Sequence, residues 1–475
     1  MWQYISFVAH QAKPNWGYEV ADRDLESVWS QAQAYWDSLI DYERKSALPE
    51  DLKLERMRAL LANLGNPQDG LRIIHVAGTK GKGSCCAMLE SILRKSGWLT
   101  GLFVSPHIRD VTERFQINGC PVSKTELGGY ILRVQSAVKS ALKEPPSFFE
   151  VATTAAFLLF RSRQVDWVIL ETGLGGRLDA TNVCKPIITL ITGIGLDHTQ
   201  VLGETLEEIA YEKAGIIKPG IPVVFGVEES GPKQVIRNVA RLNGAPQWEL
   251  GKEIQVWADD RPEPAIVWDR VECHIKTPVC ERDSVQVGLS GNHQAKNAAL
   301  VLGVVDQLKI RGTEIPEAAV YQGLSDVNWP GRIETLCKKP WIVVDAAHNV
   351  ASIEALVEML RHWPVSGKKK LLFAVSRDKS VGEMLALLAQ YFDEIHLTKY
   401  TLGQRAMEPE EVKKHLPLAV GAEGDPHVTI HNSPSDALDR VLPELDKDSG
   451  LCVAGSIFLL GEVRDRLITW AEKLD

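Results

Sequence analysis

Hydrophobic and polar positions in the first half of the chain alternate between two kinds of stretch. Short continuous apolar runs, typical of parallel strands buried on both faces, alternate with longer stretches of helical periodicity. The runs lie at residues 73–76, 101–104, 167–170, 187–191 and 223–225. Two of the helices between them have readable starts, because Ser123 with Glu126 and Thr205 with Glu208 have capping-box spacing. The pattern predicts an α/β fold with a wound, mostly parallel sheet.

The pattern changes after residue 250. Alternating segments at 267–275 and 284–289 predict a small antiparallel sheet, followed by a helix near 292–308. A second α/β set has apolar runs at 342–345, 371–375, 394–397, 428–431 and 451–454, with helices at 352–363 and 435–445. We therefore predict a first domain at 1–327, a linker at 328–336 and a second, smaller Rossmann-like α/β domain at 337–475. The first 45 residues are helical in pattern, with Trp29, Tyr35, Trp36 and Tyr42 as packing aromatics.

Composition narrows the class of protein. The 475 residues are 45% hydrophobic and 24% charged, which is enough for two buried cores. The net charge of −9 argues against general nucleic-acid binding, because proteins that bind nucleic acids usually carry an excess of basic residues. No apolar run approaches the roughly 18 residues of a membrane span, and residues 1–16 lack a signal or transit pattern. We expect a cytoplasmic monomer whose partners are small molecules, with neither a nucleic acid nor a membrane among them.

The eight cysteines form no Cys-x-x-Cys pair. Cys273-His274 with Cys280 has some of the residues of a zinc site, but a fourth ligand at a plausible spacing is missing. Buried thiols in a reducing compartment are the favoured interpretation.

The segment Val-Ala-Gly-Thr-Lys-Gly-Lys-Gly-Ser at 76–84 follows the first apolar run and opens a helix. A strand, a glycine-rich turn and a helix start make a phosphate cradle, to which Lys82 adds a compact charge. The usual P-loop pattern is only partly met, because Val76 replaces the first glycine and Gly83 replaces the metal-binding hydroxyl, with Ser84 one residue late. A glycine-rich turn without a ligand and a non-catalytic nucleotide-binding module are both compatible with this segment alone.

Three more polar stretches follow apolar runs, namely Ser105, Glu171 and the segment 193–198. In wound sheets ligands collect where the carboxyl ends of the strands meet. Glu171 is the best candidate for a carboxylate that binds Mg²⁺, which prefers hard oxygen ligands. The sequence therefore predicts a phosphate and metal site at one edge of the sheet.

A series of motifs, in order along the chain, resembles the folylpolyglutamate synthase and dihydrofolate synthase family, a branch of the Mur ligase superfamily. Besides residues 78–84, they are Phe103-Val104-Ser105-Pro106-His107, the run from Glu171 to Asn182, Gly195-Leu196-Asp197-His198-Thr199, Glu212-Lys213-Ala214-Gly215-Ile216, Asn292-His293-Gln294 with Asn297, and Trp329-Pro330-Gly331-Arg332 followed by Asp345-Ala346-Ala347-His348-Asn349. The resemblance extends from about residue 54 to the C-terminus. It implies a Mur-ligase-like P-loop domain and an ATP-dependent ligase that adds L-glutamate to a folate or to dihydropteroate through an acyl phosphate. A ligase acting on a cell-wall precursor is the enzyme alternative; Ser105-Pro106-His107 and the short N-terminal region argue against it.

The resemblance also implies roles for individual residues. ATP contacts are implied at Thr79, Lys80, Gly81, Lys82, Gly83, Ser84, Asn297, Arg332 and Asp345. Mg²⁺ ligands are implied at Ser105, Glu171 and His198, and folate contacts at Pro106, Phe149, Glu150, Leu178, Asp179 and Ala180. Catalytic roles are implied for Lys82, Lys213 and His348, the last beside the incoming glutamate. The alternative for Phe149 is burial of Phe148 and Phe149 in the core.

Lys213 is the least expected of these residues. Its position near a helix C-terminus would ordinarily indicate a solvated charge, since cations are favoured there. The resemblance implies instead a lysine carbamylated by CO₂, which would convert the cation into an anion that helps to position Mg²⁺. Burial that lowers the lysine pKa would assist, because carbamylation starts from the neutral amine.

Overall fold

The computed structural model describes residues 25–41, 53–257, 265–268, 270–401, 405–416 and 426–474. Tyr42 and the segment 1–16, on which two of the expectations above depend, lie outside these ranges.

Eight strands of the described chain form the first sheet, in the order β4-β3-β2-β5-β1-β6-β7-β8. They are β1 (Ile73–Ala77), β2 (Thr100–Phe103), β3 (Phe115–Ile117), β4 (Cys120–Pro121), β5 (Trp167–Glu171), β6 (Ile188–Ile191), β7 (Val223–Phe225) and β8 (Gln247–Glu249). Strands β2, β3 and β4 pair antiparallel, and the other neighbours pair parallel. The wound, mostly parallel sheet is confirmed, and the five predicted runs are its central strands.

Helices cover both faces of this sheet. They are α1 (Leu25–Asp37), α2 (Leu54–Asn63), α3 (Lys82–Lys95), α4 (Lys124–Ala141), α5 (Phe148–Ser162), α6 (Thr199–Leu202), α7 (Leu206–Ala214), α8 (Ser230–Leu242), α9 (His293–Ile310) and α10 (Glu317–Ser325). Side chains alternate along β1, so that Ile74 and Val76 join the core under α3 and α9. Ile73 joins the core under α4 and α5, against which the predicted aromatics Trp29 and Tyr35 also pack.

The two predicted capping boxes have different outcomes. Thr205 and Glu208 form both hydrogen bonds at the start of α7, as predicted. At α4, Ser123 accepts from the Glu126 backbone N–H, but the Glu126 carboxylate binds Arg163 with two contacts of 2.7 Å. A bidentate ion pair binds a carboxylate more strongly than one backbone N–H does. The Glu126 carboxylate therefore bonds Arg163 and does not accept from the Ser123 backbone N–H, the second hydrogen bond of a capping box.

The predicted antiparallel sheet is confirmed after residue 250. It comprises β9 (Gln255–Trp257), β10 (Ala265–Val267), β11 (Arg270–Lys276) and β12 (Glu281–Val287), all paired antiparallel around β11.

The third sheet has the order β13-β14-β18-β15-β16-β17, and only β13 pairs antiparallel. Its strands are β13 (Glu334–Lys338), β14 (Trp341–Val344), β15 (Lys369–Phe373), β16 (Glu394–Leu397), β17 (His427–Ile430) and β18 (Gly450–Ala454). The helices around it are α11 (Val350–Leu360), α12 (Val381–Leu388), α13 (Pro409–Lys413), α14 (Pro434–Val441) and α15 (Ile457–Ala471). Strand β13 begins inside the predicted linker at 328–336; the domain bounds 1–327 and 337–475 stay a prediction. None of the described helices combines the length and apolar character that crossing a bilayer requires.

A tryptophan joins the small sheet to the core of the third sheet. Trp268, which follows β10, is buried in the hydrophobic cluster of the third sheet. Its ring stacks on Trp363 with centroids 6.2 Å apart and meets Trp341 edge-on at 5.8 Å. Its Nε1–H donates to Thr335 Oγ1 at 3.0 Å. The indole therefore joins the small antiparallel sheet to the core of the third sheet.

Replacing Trp268 with alanine is expected to lower the free energy of unfolding of the second domain by about 3 to 5 kcal/mol, because a buried indole leaves a large cavity. Urea unfolding followed by circular dichroism measures the loss. Trp257→Ala is the matched control, since Trp257 lies in the same small sheet but is only partly buried. Equal losses in the two variants would contradict the anchoring role.

Candidate functional site

The order of strands brings four loops together at one edge of the first sheet. Strands β2, β5, β1 and β6 are neighbours, and all four run parallel. The loops that follow them contain Ser105, the phosphate-binding segment 78–81, the glycine-rich segment 172–178 and the segment 192–198. The four stretches that sequence analysis selected are therefore adjacent in space.

The phosphate loop requires glycine at two positions. Gly78 has φ +152°, and a Cβ there would overlap Thr192 Oγ1. Gly81 is the N-cap of α3 in the left-handed conformation, with φ +81°, and a Cβ would lie 2.5 Å from Asn297 Oδ1. Both positions exclude other residues, so the backbone stays close to whatever occupies the cradle.

The loop is also tied to the segment after β6. Thr79 N–H donates to Gly193 O at 2.7 Å, and Thr79 Oγ1 lies 3.1 Å from Gly195 O and 3.0 Å from Gly195 N. The Thr79 hydroxyl thus both donates and accepts. Its contacts hold the phosphate loop against the neighbouring loop of the sheet edge.

Two lysines converge on a single carbonyl oxygen beneath the loop. Lys82 Nζ donates to Gly78 O at 3.1 Å, and Lys213 Nζ donates to the same oxygen at 3.0 Å. Lys82 Nζ also lies 3.9 Å from Glu171 Oε1, while Glu171 Oε2 accepts from Ser105 N–H at 3.1 Å. Lys82 therefore places a cation beside the Glu171 carboxylate, and the Lys213 amine lies at the same carbonyl oxygen, an arrangement that suits a polyanionic ligand.

Burial changes the chemistry of two of these groups. The Lys213 side chain is 4% exposed, which excludes the interpretation of a solvated charge at a helix end. Burial, together with the nearby charge of Lys82, lowers the pKa of Lys213 to about 7. Burial also raises the pKa of Glu171, and the charge of Lys82 opposes that rise.

The N-terminus of α9 supports the start of α3. Gln294 Nε2 donates to Ser84 Oγ at 3.4 Å, and Asn297 Nδ2 donates to Gln294 Oε1 at 2.9 Å. A Cβ at Gly83 would lie 2.9 Å from Trp329 Nε1, so the beginning of the predicted linker packs against the helix start. Asn297 and Ser84, 213 positions apart in the chain, therefore both lie at the phosphate loop, and their contacts with ATP stay a prediction.

The third sheet supplies the other side of the site. Asp345, directly after β14, accepts from Ile333 N–H and Ala347 N–H at 2.7 Å each. Arg332 Nη1 donates to Gly331 O at 3.0 Å. Burial raises the pKa of Asp345, and the charge of Arg332 opposes that rise, as it also does at Glu171. Arg332 is thus within electrostatic reach of both carboxylates.

His348 has a defined tautomer. Its Nδ1 lies 2.9 Å from Ala346 O, and because a carbonyl oxygen can only accept, Nδ1 carries the proton. The Nε2 atom of the neutral ring is then a hydrogen-bond acceptor.

Sequence analysis missed Lys379 and left Asp197 without a role. The charge of Lys379, in the loop after β15, acts on Asp197, His198 and His348, so Lys379 lies within electrostatic reach of all three. Lys379 is the fourth residue after the apolar run 371–375, so its position alone does not distinguish it from Ser376, Arg377 and Asp378.

The three predicted metal ligands are not equally placed. Ser105 and Glu171 are joined by a hydrogen bond. His198 is the N-cap residue before α6 and has φ +50°. Its side chain is 53% exposed, and its Nε2 lies 3.8 Å from Asp197 Oδ1. Across the described ranges, no group of three His, Cys, Asp or Glu side chains is arranged to hold a metal ion by itself.

Phe148 and Phe149 point into different surroundings. Phe148 is buried in the core beside Trp36, at a ring centroid distance of 4.8 Å. Phe149 is partly buried, and a Cβ at Gly173 would lie 2.5 Å from its Cζ. Core burial is thus right for Phe148, while Phe149 faces the glycine-rich loop. Pro106 follows a cis peptide bond and is exposed.

Glu150 has its contacts within the chain. Its carboxylate accepts from Arg56 Nε at 2.8 Å and closes a capping box with Ser147 at the start of α5. Its predicted contact with substrate stays a prediction, and the contacts present are those of a residue that fixes the helix.

Asp179 organises the glycine-rich loop. Its carboxylate accepts from Leu174 N–H at 2.8 Å, from Thr181 N–H at 3.0 Å and from the Thr181 hydroxyl. Leu178 is partly exposed beside it, and Ala180 is buried. Of these three predicted contacts, Leu178 is the one with accessible side-chain surface.

Two family models match the chain. The Mur ligase middle domain matches residues 76–305, and the Mur ligase glutamate ligase domain matches residues 331–457. The chain is 33% identical over 419 residues to a dihydrofolate synthase/folylpolyglutamate synthase of Bacillus subtilis, covering 87% of this chain and 94% of that protein. It is 32% identical over 438 residues to a dihydrofolate synthetase of Saccharomyces cerevisiae, covering 87% and 97%.

Solved structures are similar over almost the whole chain. The E. coli FolC complex with DHPP and ADP has a TM-score of 0.79 at 28% identity and covers 94% of this chain and 98% of that one. The Mycobacterium tuberculosis folylpolyglutamate synthase with ADP and AMPPCP has a TM-score of 0.81 at 28% identity and covers 94% and 99%.

Proposed function

Because the chain belongs to the folylpolyglutamate synthase and dihydrofolate synthase family of Mur ligases, we propose that it uses ATP to join L-glutamate to dihydropteroate or to a folate. The observation that carries the proposal is the convergence of Lys82 and Lys213 on Gly78 O, with Glu171 beside Lys82. The relatives reported above are named for folate chemistry, which argues against a cell-wall precursor and against a non-catalytic nucleotide-binding module.

The chemistry explains why these groups are needed. A carboxylate is a poor acylating agent, so its oxygen first takes the γ-phosphoryl group of ATP, which gives an acyl phosphate and ADP. The neutral amine of glutamate then attacks the carbonyl carbon, loses its proton, and phosphate leaves from the tetrahedral intermediate. Such phosphoryl transfer depends mainly on positioning and on charge neutralisation. Lys82 supplies a cation at the phosphate loop.

The residues present fit a Mg²⁺ ion that is shared with ATP. Mg²⁺ is usually bound by one or two carboxylates together with substrate phosphates, and Glu171 is a buried carboxylate beside the phosphate loop. Glu171 and Ser105 would hold the ion, which when bound would neutralise phosphate charge. His198 is a less usual nitrogen ligand in an exposed position, and its role as a metal ligand is part of the same proposal.

Carbamylation of Lys213 is the next part of the proposal. A neutral lysine amine adds CO₂ to give a carbamate and releases one proton. The burial that lowers the pKa of Lys213 to about 7 supports it, because a substantial fraction of the amine is then neutral near pH 7. The carbamate anion would replace a cation next to the phosphate loop and so balance Lys82.

Residues from both domains complete the assignment. We assign the nucleotide contacts to Thr79, Lys80, Gly81, Gly83, Ser84, Asn297, Arg332 and Asp345. We assign the contacts with the pterin substrate to Pro106, Phe149, Glu150, Leu178, Asp179 and Ala180. His348 Nε2 is free to accept the proton of the attacking amine, and Lys379 is a cation for a glutamate carboxylate. Five of the eight thiols are buried, which supports the proposed location in a reducing cytoplasm. The monomeric state stays a prediction.

The test supplies the purified protein with MgATP and radiolabelled L-glutamate. Separate reactions contain dihydropteroate, tetrahydrofolate or a UDP-linked cell-wall precursor. We expect one ADP and one phosphate for each glutamate incorporated with one or both pterin substrates. Incorporation only with the cell-wall precursor, or with none of the three, would overturn the proposal.

Replacing Glu171 with glutamine is expected to lower kcat by about 10²-fold, because the variant keeps the shape but loses the negative charge that Mg²⁺ requires. Rates measured across a Mg²⁺ titration should show little rescue at high concentration. Glu228→Gln, an exposed carboxylate outside the site, is the control. An unchanged Mg²⁺ dependence in Glu171→Gln would move the metal site elsewhere.

A further inference from the structure

The glycine-rich loop packs backbone to backbone against the end of α7. Arg177 N–H donates to Glu212 O at 2.7 Å. A Cβ at Gly176 would lie 2.8 Å from the same oxygen, and a Cβ at Gly215 would overlap the Cβ of Arg177. The two segments approach closely only because glycine stands at both positions. The residue between Glu212 and Ala214 is Lys213, so this contact lies next to the buried lysine.

One buried side chain links the two segments across this contact. Asn182, 6% exposed, donates from Nδ2 to Arg177 O at 2.9 Å and to Gly215 O at 3.1 Å. Its Oδ1 accepts from Lys218 Nζ at 2.6 Å. The orientation of the amide is fixed by its partners, because carbonyl oxygens only accept and an ammonium group only donates. Both N–H groups of the Asn182 amide are therefore used.

The link extends to the phosphate loop. On one side, Asn182 follows Leu178 and Ala180, which are assigned to the pterin substrate. On the other side, it holds Gly215, two residues after Lys213, whose Nζ donates to Gly78 O. The Asn182 amide thus connects the proposed substrate loop to the segment that contains Lys213, whose Nζ shares the Gly78 carbonyl oxygen with Lys82.

We propose that Asn182, itself held by Lys218, is a positioning residue that keeps the glycine-rich loop in fixed register with Lys213 and the phosphate loop. This inference rests on the proposed function. Asn182 touches neither substrate nor nucleotide in this role; it acts through the backbones of Arg177 and Gly215. A displacement of about 1 Å between these segments would separate the carboxylate of the substrate from the phosphate that activates it.

The experiment compares Asn182→Ala, Asn182→Asp and Lys218→Met. Asn182→Ala is expected to lower kcat by about tenfold or more and to raise KM for the pterin substrate several-fold, with KM for ATP unchanged. Asn182→Asp is isosteric, but its carboxylate would face two carbonyl oxygens, so it should be at least as impaired. Lys218→Met keeps both donated hydrogen bonds and should be milder. A near-normal Asn182→Asp would mean that Asn182 only fills space and would overturn the proposal.

A variant that merely loses folded protein would lower the amount of active enzyme and leave both KM values unchanged. Lys185→Met, an exposed lysine three residues along the chain, is the matched control and should behave as the unmodified protein.

Hydrogen exchange tests the link independently of any reaction. In Asn182→Ala, amide exchange should rise together in 173–183 and in 212–218, with 230–242 unchanged. Faster exchange in only one of the two segments would overturn the proposal. If the unmodified protein ligates glutamate to neither pterin substrate, the proposed function fails, while this exchange result still decides whether Asn182 joins the segments.

Discussion

Replacing Lys82 with alanine is expected to lower kcat by about 10²- to 10³-fold, because the variant removes the cation that neutralises charge on the transferred phosphoryl group. The fold should survive, since Lys213 still donates to Gly78 O and the glycine conformations of the loop do not depend on Lys82. Steady-state rates of glutamate incorporation measure the effect, and circular dichroism checks the fold.

Two further variants sharpen this result. Lys82→Arg keeps the charge with a different shape and should retain more activity than Lys82→Ala. Lys95→Ala changes a lysine at the other end of the same helix and should have little effect on rate. A folded Lys82→Ala protein with near-normal activity would exclude Lys82 from the reaction.

Replacing Lys213 with alanine is expected to leave almost no activity, and formate or acetate in solution should restore part of it. The reason is spatial and electrostatic: the shortened side chain leaves room in a buried position where a carbamate would supply an anion, and a small carboxylate can enter that room. Lys213→Arg is the matched control, because arginine stays a cation and does not become carbamylated; it should be inactive and should not respond to formate.

The modification itself has a direct signature. The unmodified protein in ¹³C-bicarbonate should show a carbamate carbon resonance that is missing in Lys213→Ala. Full activity after removal of CO₂, with no such resonance, would eliminate the carbamate. The ligase assignment would survive, and Lys213 would then be a buried amine that holds the Gly78 carbonyl.

Much of the fold could be predicted because its signals are local. Strands β1 and β5 are buried on both faces, so each is a continuous apolar run that can be recognised without its neighbours. Thr205 and Glu208 form the predicted capping box because both partners lie within one turn. The short strands β3, β4 and β8, which lie toward the two ends of the sheet, carry no such run, and the sequence pattern does not predict them for that reason.

Some features of the candidate site could likewise be predicted from local sequence, and others depend on contacts between distant segments. Gly78 and Gly81 could be selected from sequence, because a strand, a turn and a helix start impose backbone conformations that favour glycine. Glu150 has a capping role that its spacing from Ser147 could have indicated, but its ion pair with Arg56 joins positions 94 residues apart. Lys379 lies four residues after an apolar run, and neither that position nor its distance in sequence from Asp197 could indicate that the two charges interact.

The sequence by itself determined the order of the central buried strands, the phosphate loop and the family, because each is encoded in short segments whose geometry depends on adjacent residues. Only the tertiary structure decided that Lys213 is buried and shares Gly78 O with Lys82 across a separation of 135 residues. It also decided that Trp268 packs in the core of the third sheet and that Asn182 joins two segments. The physical reason is that burial, and the pKa shifts that follow from it, depend on which distant segments exclude water from a side chain, and no local periodicity records that.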